Sequence, residues 1–290
     1  MMTSIENISS ESETTPVPTP LVRGSDSEQT KSQFVDDKVL AQPLILTKSW
    51  VYQLRSYAEV LMVTIVLYAI FSVYLYYRRG YYDLYITNKI IAGVAAVLLG
   101  FVLLIGPMSR LFSFADRLIK YRKELGFVAF FLSLIHGIVS LFFLPSKFPL
   151  SSFLRTVNWP FFFGLGALII LFTLFSISNS RTAAVIGRLR WWKLQYFGVR
   201  LSFVLILLHV LIMKWKGWVE WYQVGGGRDL VRPEWPGAGL LVGWFMSFVM
   251  LVRLAELGGK RLGRAVAMIS IIALSIIYIT TFWWGRQFIQ

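Results

Sequence analysis

The sequence contains no cysteine, only two histidines and few charged residues. Without cysteine, disulfides, zinc–thiolate sites, iron–sulfur clusters and thiolate-ligated haem are all excluded. Charged residues make up 15% of the chain, against about 25% in soluble domains, whereas hydrophobic residues make up 56%. This composition excludes a soluble enzyme, a nucleic-acid-binding protein and a disordered scaffold. The net charge of +14 is instead typical of the loops of a membrane protein.

Residues 1–45 differ in composition from the rest of the chain. They are rich in Ser, Thr, Glu and Pro, and they carry three basic and seven acidic residues. Such a segment has too little apolar surface to offset the entropy lost on ordering. It also lacks the basic region and apolar core of a cleaved signal peptide. We therefore predict a disordered cytosolic tail.

Seven apolar runs follow the tail, and most approach the roughly 20 residues that a helix needs to cross a bilayer. The predicted fold is all-α, a polytopic membrane helix bundle. Two of the runs are short for a crossing, and 237–252 is the weaker of the two. The predicted helices cover residues 58–77, 90–108, 125–144, 160–177, 198–213, 237–252 and 265–283.

The distribution of Lys and Arg predicts the orientation of these helices. Apart from the tail, the loops on the N-terminal side of the bilayer hold 14 basic residues and the other side holds 10. An excess of basic residues marks the cytoplasmic side. We therefore expect a multi-pass protein of the cell membrane, surrounded by lipid, with its N-terminus in the cytoplasm.

Both histidines lie inside predicted spans at matching depth. His136 and His209 each lie about 16–18 Å from the inner end of their helices at 1.5 Å per residue. The third and fifth helices run in the same direction, so the two imidazoles share one level. Neutral imidazole is a good iron ligand, and two facing rings can hold a b-type haem. The alternative is a pair of histidines that are simply hydrogen-bonded to neighbouring helices.

Glycines near the same levels are compatible with either a flat macrocycle or a closely packed helix. They are Gly137, Gly164, Gly166 and Gly198.

The residues around the histidines resemble a known family. Arg122-Lys123-Glu124-Leu125-Gly126 precedes His136 by nine intervening residues, and Ser140-Leu141 follows it. Trp192 and Gln195 precede His209-Val210-Leu211-Ile212 in a similar way. These segments resemble the third and fifth helices of the STEAP metalloreductases. The resemblance covers roughly 85–255, and the Arg-x-x-Leu-Gly…His spacing recurs in the wider ferric-reductase-like transmembrane group.

The resemblance implies a ferric-reductase-like haem domain of six helices over 46–255, followed by an extra transmembrane helix within 256–290. It implies one haem b, with His136 and His209 as axial ligands of the iron. In that family a cytosolic flavin passes electrons to the haem, which reduces ferric or cupric chelates outside, and the proteins are trimers. FAD or FMN is therefore a second candidate cofactor here.

The electron donor is expected to be a separate protein. No Gly-x-Gly-x-x-Gly motif follows a predicted strand, so the chain has no nicotinamide-binding signature of its own. A flavoprotein or NAD(P)H reductase in the cytosol would then deliver the electrons, and a metal chelate or redox partner outside would receive them.

Positive residues of the inner loops suit a flavin pyrophosphate or a haem propionate, although they can equally anchor the loops at the membrane surface. The resemblance adds Gln195 as a position near the flavin. The candidates for cofactor binding are Arg117, Lys120, Arg122, Lys123, Arg190 and Gln195.

Two further groups of residues are candidates for electron relay and for substrate attraction. Phe172 and Phe175 on the fourth helix lie between the expected flavin and haem levels, although packing against lipid would also explain them. Basic residues outside the membrane could attract an anionic metal chelate, or they could simply be solvated. The basic residues of this group are Lys147, Arg155, Lys214 and Lys216.

Two other functions remain as alternatives. A haem-bearing subunit could take electrons from membrane quinol and deliver them to a periplasmic oxidoreductase. A haem-free receptor, photosensor or transporter with seven helices is the alternative outside redox chemistry. A retinal protein needs a lysine deep in the last helix, and 265–283 has none. A coupled transporter usually requires buried carboxylates, but no Asp or Glu lies well inside any predicted span.

Overall fold

The computed structural model describes residues 50–289, and the predicted disordered tail over 1–45 lies outside them. Within these residues every regular element is helical, and seven helices are long and apolar enough to cross a membrane. The prediction of an all-α polytopic bundle with a seventh helix is confirmed. The helices are α1 (Trp50–Arg79), α2 (Leu84–Leu111), α3 (Arg122–Ile138), α4 (Trp159–Ser176), α5 (Arg188–Val224), α6 (Ala238–Ala255) and α7 (Lys260–Gly285).

Short helical elements join the seven spans. A 3₁₀ helix leads into α3, and a π-helical segment continues α3 beyond its last α-helical residue. Two short α-helices lie before α4 and before α5, and single 3₁₀ turns follow α6 and α7. These elements are Ser113–Tyr121, Val139–Phe143, Leu150–Arg155, Ser180–Ile186, Glu256–Gly258 and Arg286–Phe288.

Side-chain caps fix the starts of α2 and α4. Asp83 Oδ1 accepts a hydrogen bond of 2.7 Å from the backbone N–H of Ile86. Asn158 Oδ1 accepts one of 3.0 Å from Phe161, and Pro160 occupies the first turn of α4. Asp and Asn satisfy N–H groups that a helix start would leave unbonded, and proline needs no such partner there. The cap of α4 fixes the position of Pro160, which contacts His209, and the cap of α2 fixes the start of the helix that carries Asn88, which contacts His136.

Helix α5 is much longer than the apolar run that predicted it. It begins ten residues before 198–213 and ends eleven residues after it, for a total of 37 residues. At 1.5 Å per residue the helix is about 55 Å long, well beyond the roughly 30 Å of bilayer hydrocarbon. Charged residues such as Lys214 and Glu220 therefore continue the helix outside the apolar layer instead of ending it.

Helix α2 is the central element of the bundle. Leu98 and Leu103 of α2 and Met246 and Val249 of α6 are almost completely buried. At Gly100 a Cβ atom would lie 2.5 Å from a ring carbon of Phe245, so this crossing of α2 and α6 requires glycine. Helix α2 also packs along α3, whereas α4 packs along α5 and α7 along α6.

The helices alternate in direction, and contacts at both ends of the bundle show this. At one end Tyr74 and Arg78, late in α1, donate to the carbonyl oxygens of Pro236 and Trp235, which precede α6. At the other end Arg264 of α7 donates to the carbonyl oxygen of Leu111, the last residue of α2. We call the end where α1 begins the proximal end and the opposite one the distal end.

Candidate functional site

The side chain of His136 is held by a polar network near the distal end of α2. Its Nδ1 lies 2.9 Å from Oδ1 of Asn88, and Nδ2 of Asn88 donates to Oγ of Ser140 at 2.8 Å. Asn88 is 1% exposed, so its amide is fixed by this network. Because an amide oxygen only accepts, the hydrogen bond requires a proton on Nδ1 of His136. The Nε2 atom then carries the lone pair.

The ring of His209 is oriented in the same way, by a hydrogen bond to a different oxygen. Its Nδ1 lies 2.6 Å from the carbonyl oxygen of Pro160, in the first turn of α4. A backbone carbonyl also only accepts, so Nδ1 is the protonated atom and Nε2 again carries the lone pair. One turn further along α4, Gly164 lies against the same imidazole, where a Cβ atom would be 3.0 Å from Nδ1. Both residues fix the ring of His209 against α4.

The two imidazoles lie near one another on helices that are held apart. His136 and His209 are both half-buried, and they are close enough to interact electrostatically. Within residues 50–289, α3 and α5 pack mainly through α2 and α4 and share few contacts with each other. In each imidazole, Nδ1 donates to an oxygen and Nε2 is left as a ligand atom. This arrangement is typical of metal-bound histidines.

The donor set fits an iron porphyrin better than a bare metal ion. Among the described residues, no group of three or more His, Cys, Asp or Glu side chains could hold an ion. A haem needs only two axial protein ligands because the porphyrin supplies the other four. The flat ring also needs a space between helices, and close packing of α3 on α5 would remove that space. His136 and His209 supply two such ligand atoms, and α3 and α5 share few contacts with each other within the described residues.

Only one of the four predicted glycines contacts a histidine. A Cβ atom at Gly137, Gly166 or Gly198 would instead meet a leucine side chain of a neighbouring helix, at 3.3, 3.6 and 2.7 Å respectively. These three glycines are explained by helix packing. Gly164 is the one whose missing side chain makes room for the imidazole of His209.

A cavity of about 310 Å³ lies closer to the proximal end, between α2, α3, α4 and α5. Three of the six predicted cofactor-binding residues line it: Arg122, Lys123 and Gln195. Nε2 of Gln195 donates to the carbonyl oxygen of Leu174 at 3.0 Å, which fixes its amide. The remaining wall is largely apolar and aromatic, and it includes Val102, Phe127, Leu171, Trp191 and Trp192.

The other three predicted cofactor-binding residues are not brought to this cavity. Arg117, Lys120 and Arg190 are exposed and do not line it. Lys120 lies over the ring of Tyr121, 4.6 Å from its centroid. The structure therefore brings only some of these basic side chains to the cavity, and their role in binding a cofactor stays a prediction.

The predicted relay residues differ in their surroundings. Phe175 lines the cavity and stacks on Phe130, with ring centroids 4.7 Å apart and an interplanar angle of 21°. Phe172 is 57% exposed and lies at the edge of this cluster, 6.2 Å from Phe130. Phe130, which sequence analysis missed, is 3% exposed and precedes His136 by six residues on the same helix. Phe130 and Phe175 therefore form a stacked aromatic pair in the wall of the cavity.

The distal basic residues fall into two sets. Nζ of Lys89 lies 3.8 Å from the ring centroid of Tyr85, and Nζ of Lys147 approaches the same ring at 5.9 Å. Lys89 is also an electrostatic neighbour of Lys214 and Arg79. Two of the predicted residues, Arg155 and Lys216, are exposed and lie outside this group.

Sequence analysis missed the oxygen partners of both histidines. The role of Asn88 could have been inferred from the sequence, because an amide at the start of a predicted span of apolar residues needs a polar partner. The role of Pro160 could not, because it contributes a backbone carbonyl that any residue could supply.

No model of a known protein family matches this chain, and no curated protein matches it.

Proposed function

We propose that this protein binds one haem b between His136 and His209 and carries electrons across the membrane, reducing ferric or cupric chelates at the distal side. The main support for this proposal is the pair of protonated Nδ1 atoms. Each is bonded to an oxygen of a helix other than its own, so that Nε2 of both rings is left to bind one iron. Such partners orient ligand rings and increase the basicity of the ligating nitrogen.

When bound, the haem iron would alternate between two oxidation states and so take up and release one electron at a time. The protein's own part is to hold the two rings at fixed positions. Asn88 and Ser140 orient His136, whereas Pro160 and Gly164 orient His209. Because these contacts come from α2, α3 and α4, small movements of α5 alone cannot rotate both rings.

The proximal cavity is the proposed entry point for electrons, and we place the proximal end in the cytoplasm of a cell. Its volume lies at the lower end of the range usual for ligand sites. Trp191 and Trp192 offer aromatic faces to the fused ring of FAD or FMN, and Arg122 and Lys123 offer charges to its phosphate groups. A separate cytosolic flavoprotein or NAD(P)H reductase would reduce this flavin.

A membrane quinol is the second candidate donor. The apolar wall of the cavity, with Val102 and Leu171, supports a ligand that arrives from the bilayer. In that case the acceptor would be a periplasmic oxidoreductase instead of a metal chelate. The two donors differ in solubility and can be compared directly on the purified protein.

The distal group of Lys89, Lys147, Lys214 and Arg79 supports attraction of an anionic metal chelate. Clefts of one charge sign raise the local concentration of oppositely charged ligands. The trimer that the family resemblance implies stays a prediction.

The spectrum of the protein tests the proposal. Membranes that contain it, grown with full haem supply, are expected to give a reduced-minus-oxidised spectrum of a low-spin b-type cytochrome. His136→Ala and His209→Ala should each abolish this spectrum. Ser133→Ala is the matched control on α3, because within residues 50–289 its hydroxyl bonds the carbonyl oxygen of Ala129 in the same helix and neither histidine. A wild-type protein without the spectrum would refute the redox function.

A further inference from the structure

A second, smaller cavity of about 150 Å³ lies at the proximal end between α2, α5 and α6. It adjoins the larger cavity, because Ile119, Arg122, Trp192 and Tyr196 line both. Its own lining adds two arginines, Arg110 and Arg253, together with Gly106 and Ser109. Three guanidinium groups thus line a space of this size.

The charge in this cavity is only partly neutralised. Glu256 accepts from Arg253 Nη1 at 2.8 Å and also pairs with Arg110. Arg122 and Arg200 are further electrostatic neighbours of Arg253. Within the described residues, one carboxylate therefore pairs with two of four neighbouring guanidinium groups. Arg253 is buried whereas Arg110 is 58% exposed, so the cavity joins a buried positive charge, which an anion would stabilise, to the surface.

Arg253 is the residue that most needs such an anion. Its side chain is 8% exposed, and its Nε has no hydrogen-bond partner among the residues that the structure describes. At Gly106 a Cβ atom would lie 3.2 Å from Nη2 of Arg253, so the glycine lets the guanidinium pack closely against α2. An unbonded buried donor is unfavourable, and more so when the group is charged.

We propose that this cavity binds a phosphate group through Arg110, Arg122 and Arg253. Phosphate carries up to two negative charges and several acceptor oxygens, and planar guanidinium forks match its geometry better than lysine does. Two sources have this chemistry: a soluble phosphate compound, and the headgroup of an anionic phospholipid at the membrane surface. The inference does not depend on the haem, because it does not involve His136 or His209, although it shares Arg122 with the proposed flavin site.

The test uses the purified full-length protein and its thermal unfolding. In detergent, inorganic phosphate is titrated against chloride at constant ionic strength. In a second arm, the protein is reconstituted in nanodiscs of phosphatidylcholine with increasing phosphatidylglycerol. A ligand that binds only the folded state raises the unfolding temperature in a saturable manner. Saturation by phosphate identifies a soluble source, and saturation by phosphatidylglycerol alone identifies a lipid headgroup.

Two variants connect the response to this cavity. Arg253→Gln removes the buried guanidinium, whose Nε has no partner among the described residues. Ser109→Glu adds a carboxylate to the lining while the pair of Arg253 with Glu256 stays in place, so it remains informative if Arg253→Gln does not fold. Each variant is expected to raise the ligand concentration at half-saturation about tenfold, as loss of a charged hydrogen bond would.

The matched control is Arg181→Gln, on the short helix Ser180–Ile186. Arg181 is exposed and does not line the cavity, so its removal lowers the net charge equally without touching the site. The ligand concentration at half-saturation of Arg181→Gln should equal that of the wild type. The proposal is overturned if neither probe gives a saturable response, or if Ser109→Glu responds as the wild type does.

Discussion

Gly164 of α4 lies directly against the imidazole of His209 on α5. A Cβ atom there would be 3.0 Å from Nδ1 and 3.2 Å from Cε1 of the ring, closer than nearly all carbon contacts of this kind. Gly164→Ala should therefore displace the imidazole and lower the ratio of haem to protein in the purified sample. Absorbance of the haem relative to total protein measures this ratio.

Gly166→Ala is the control for this prediction. On the same helix, its Cβ would meet Leu205 at 3.6 Å, an ordinary van der Waals distance. Both substitutions increase helix propensity by up to about 1 kcal/mol, so a loss of haem in Gly164→Ala cannot come from an unfolded α4. Equal haem content in the two variants would show that His209 does not depend on this contact.

The Asn88 amide should determine how tightly His136 binds haem and at what potential. Asn88→Leu removes the acceptor of the Nδ1 proton, and loss of such a partner typically weakens metal binding about 10–100-fold. Asn88→Asp keeps an acceptor and adds negative charge, so the imidazole becomes a stronger donor to iron and the reduction potential should fall. Haem titration of the apoprotein and a spectroelectrochemical titration measure the two effects.

A neighbouring hydroxyl provides the control for the Asn88 variants. Thr87 bonds the carbonyl oxygen of Asp83 in its own helical turn, so Thr87→Val should change neither haem affinity nor potential. If Asn88→Asp left the potential unchanged, the hydrogen bond to His136 would have no influence on the iron.

The sequence predicted depth along the helices better than the direction in which side chains face. The seven spans and the shared level of His136 and His209 follow from apolar runs and from the rise per residue, which need no knowledge of packing. Rotation about the helix axis depends on neighbours. Phe172 and Phe175 differ by less than one turn, yet only Phe175 faces the cavity.

Hydrogen-bond partners were still harder to predict. The carbonyl oxygen of Pro160 reaches His209 because the cap at Asn158 starts α4 at that point. The partner of His136 comes from α2, 48 residues away in sequence. Only the fold brings such groups together, so their identity could not follow from the pattern of apolar and polar residues.

The proximal cavity should control the entry of electrons without controlling haem binding. Gly126 lines this cavity, and a Cβ atom there would meet nothing within 4 Å. Gly126→Phe should therefore fill the cavity and slow reduction of the haem by its donor about tenfold or more, as loss of roughly 1.4 kcal/mol of donor binding would. Stopped-flow spectroscopy with reduced FMN and with duroquinol measures the rate for each class of donor.

Two controls separate access from damage to the haem. Gly217 on α5 also has open space around it but lies outside the cavity, so Gly217→Phe should leave the rates unchanged. Dithionite should reduce the haem of Gly126→Phe completely, since the histidines are untouched. If the reduction rate falls only with reduced FMN, the flavin is favoured as the donor. If it falls only with duroquinol, the quinol is favoured. Unchanged rates with both would exclude this cavity as the entry point.

Lys89 should contribute to the capture of an anionic chelate at the distal end. It follows Asn88, which bonds His136, and it lies near Lys147 and Lys214, so its charge is close to the proposed haem. Lys89→Gln is expected to raise KM for ferric citrate about two- to fivefold, as loss of roughly 0.5–1 kcal/mol of screened attraction would. The difference should shrink as salt is added, because mobile ions screen the attraction between the chelate and the protein.

Arg155→Gln is the matched control, because Arg155 is exposed at the same end of the bundle but lies outside the Lys89 group. The haem is reduced with dithionite, the excess dithionite is removed, and stopped-flow oxidation by ferric citrate then gives the half-saturating concentration and the limiting rate of each variant, which stand for KM and kcat. The charge of Lys89 acts before electron transfer, so the haem spectrum and kcat should be preserved while KM rises. An equal rise in KM for both variants would mean that net charge attracts the chelate and that the cluster around Tyr85 has no special role.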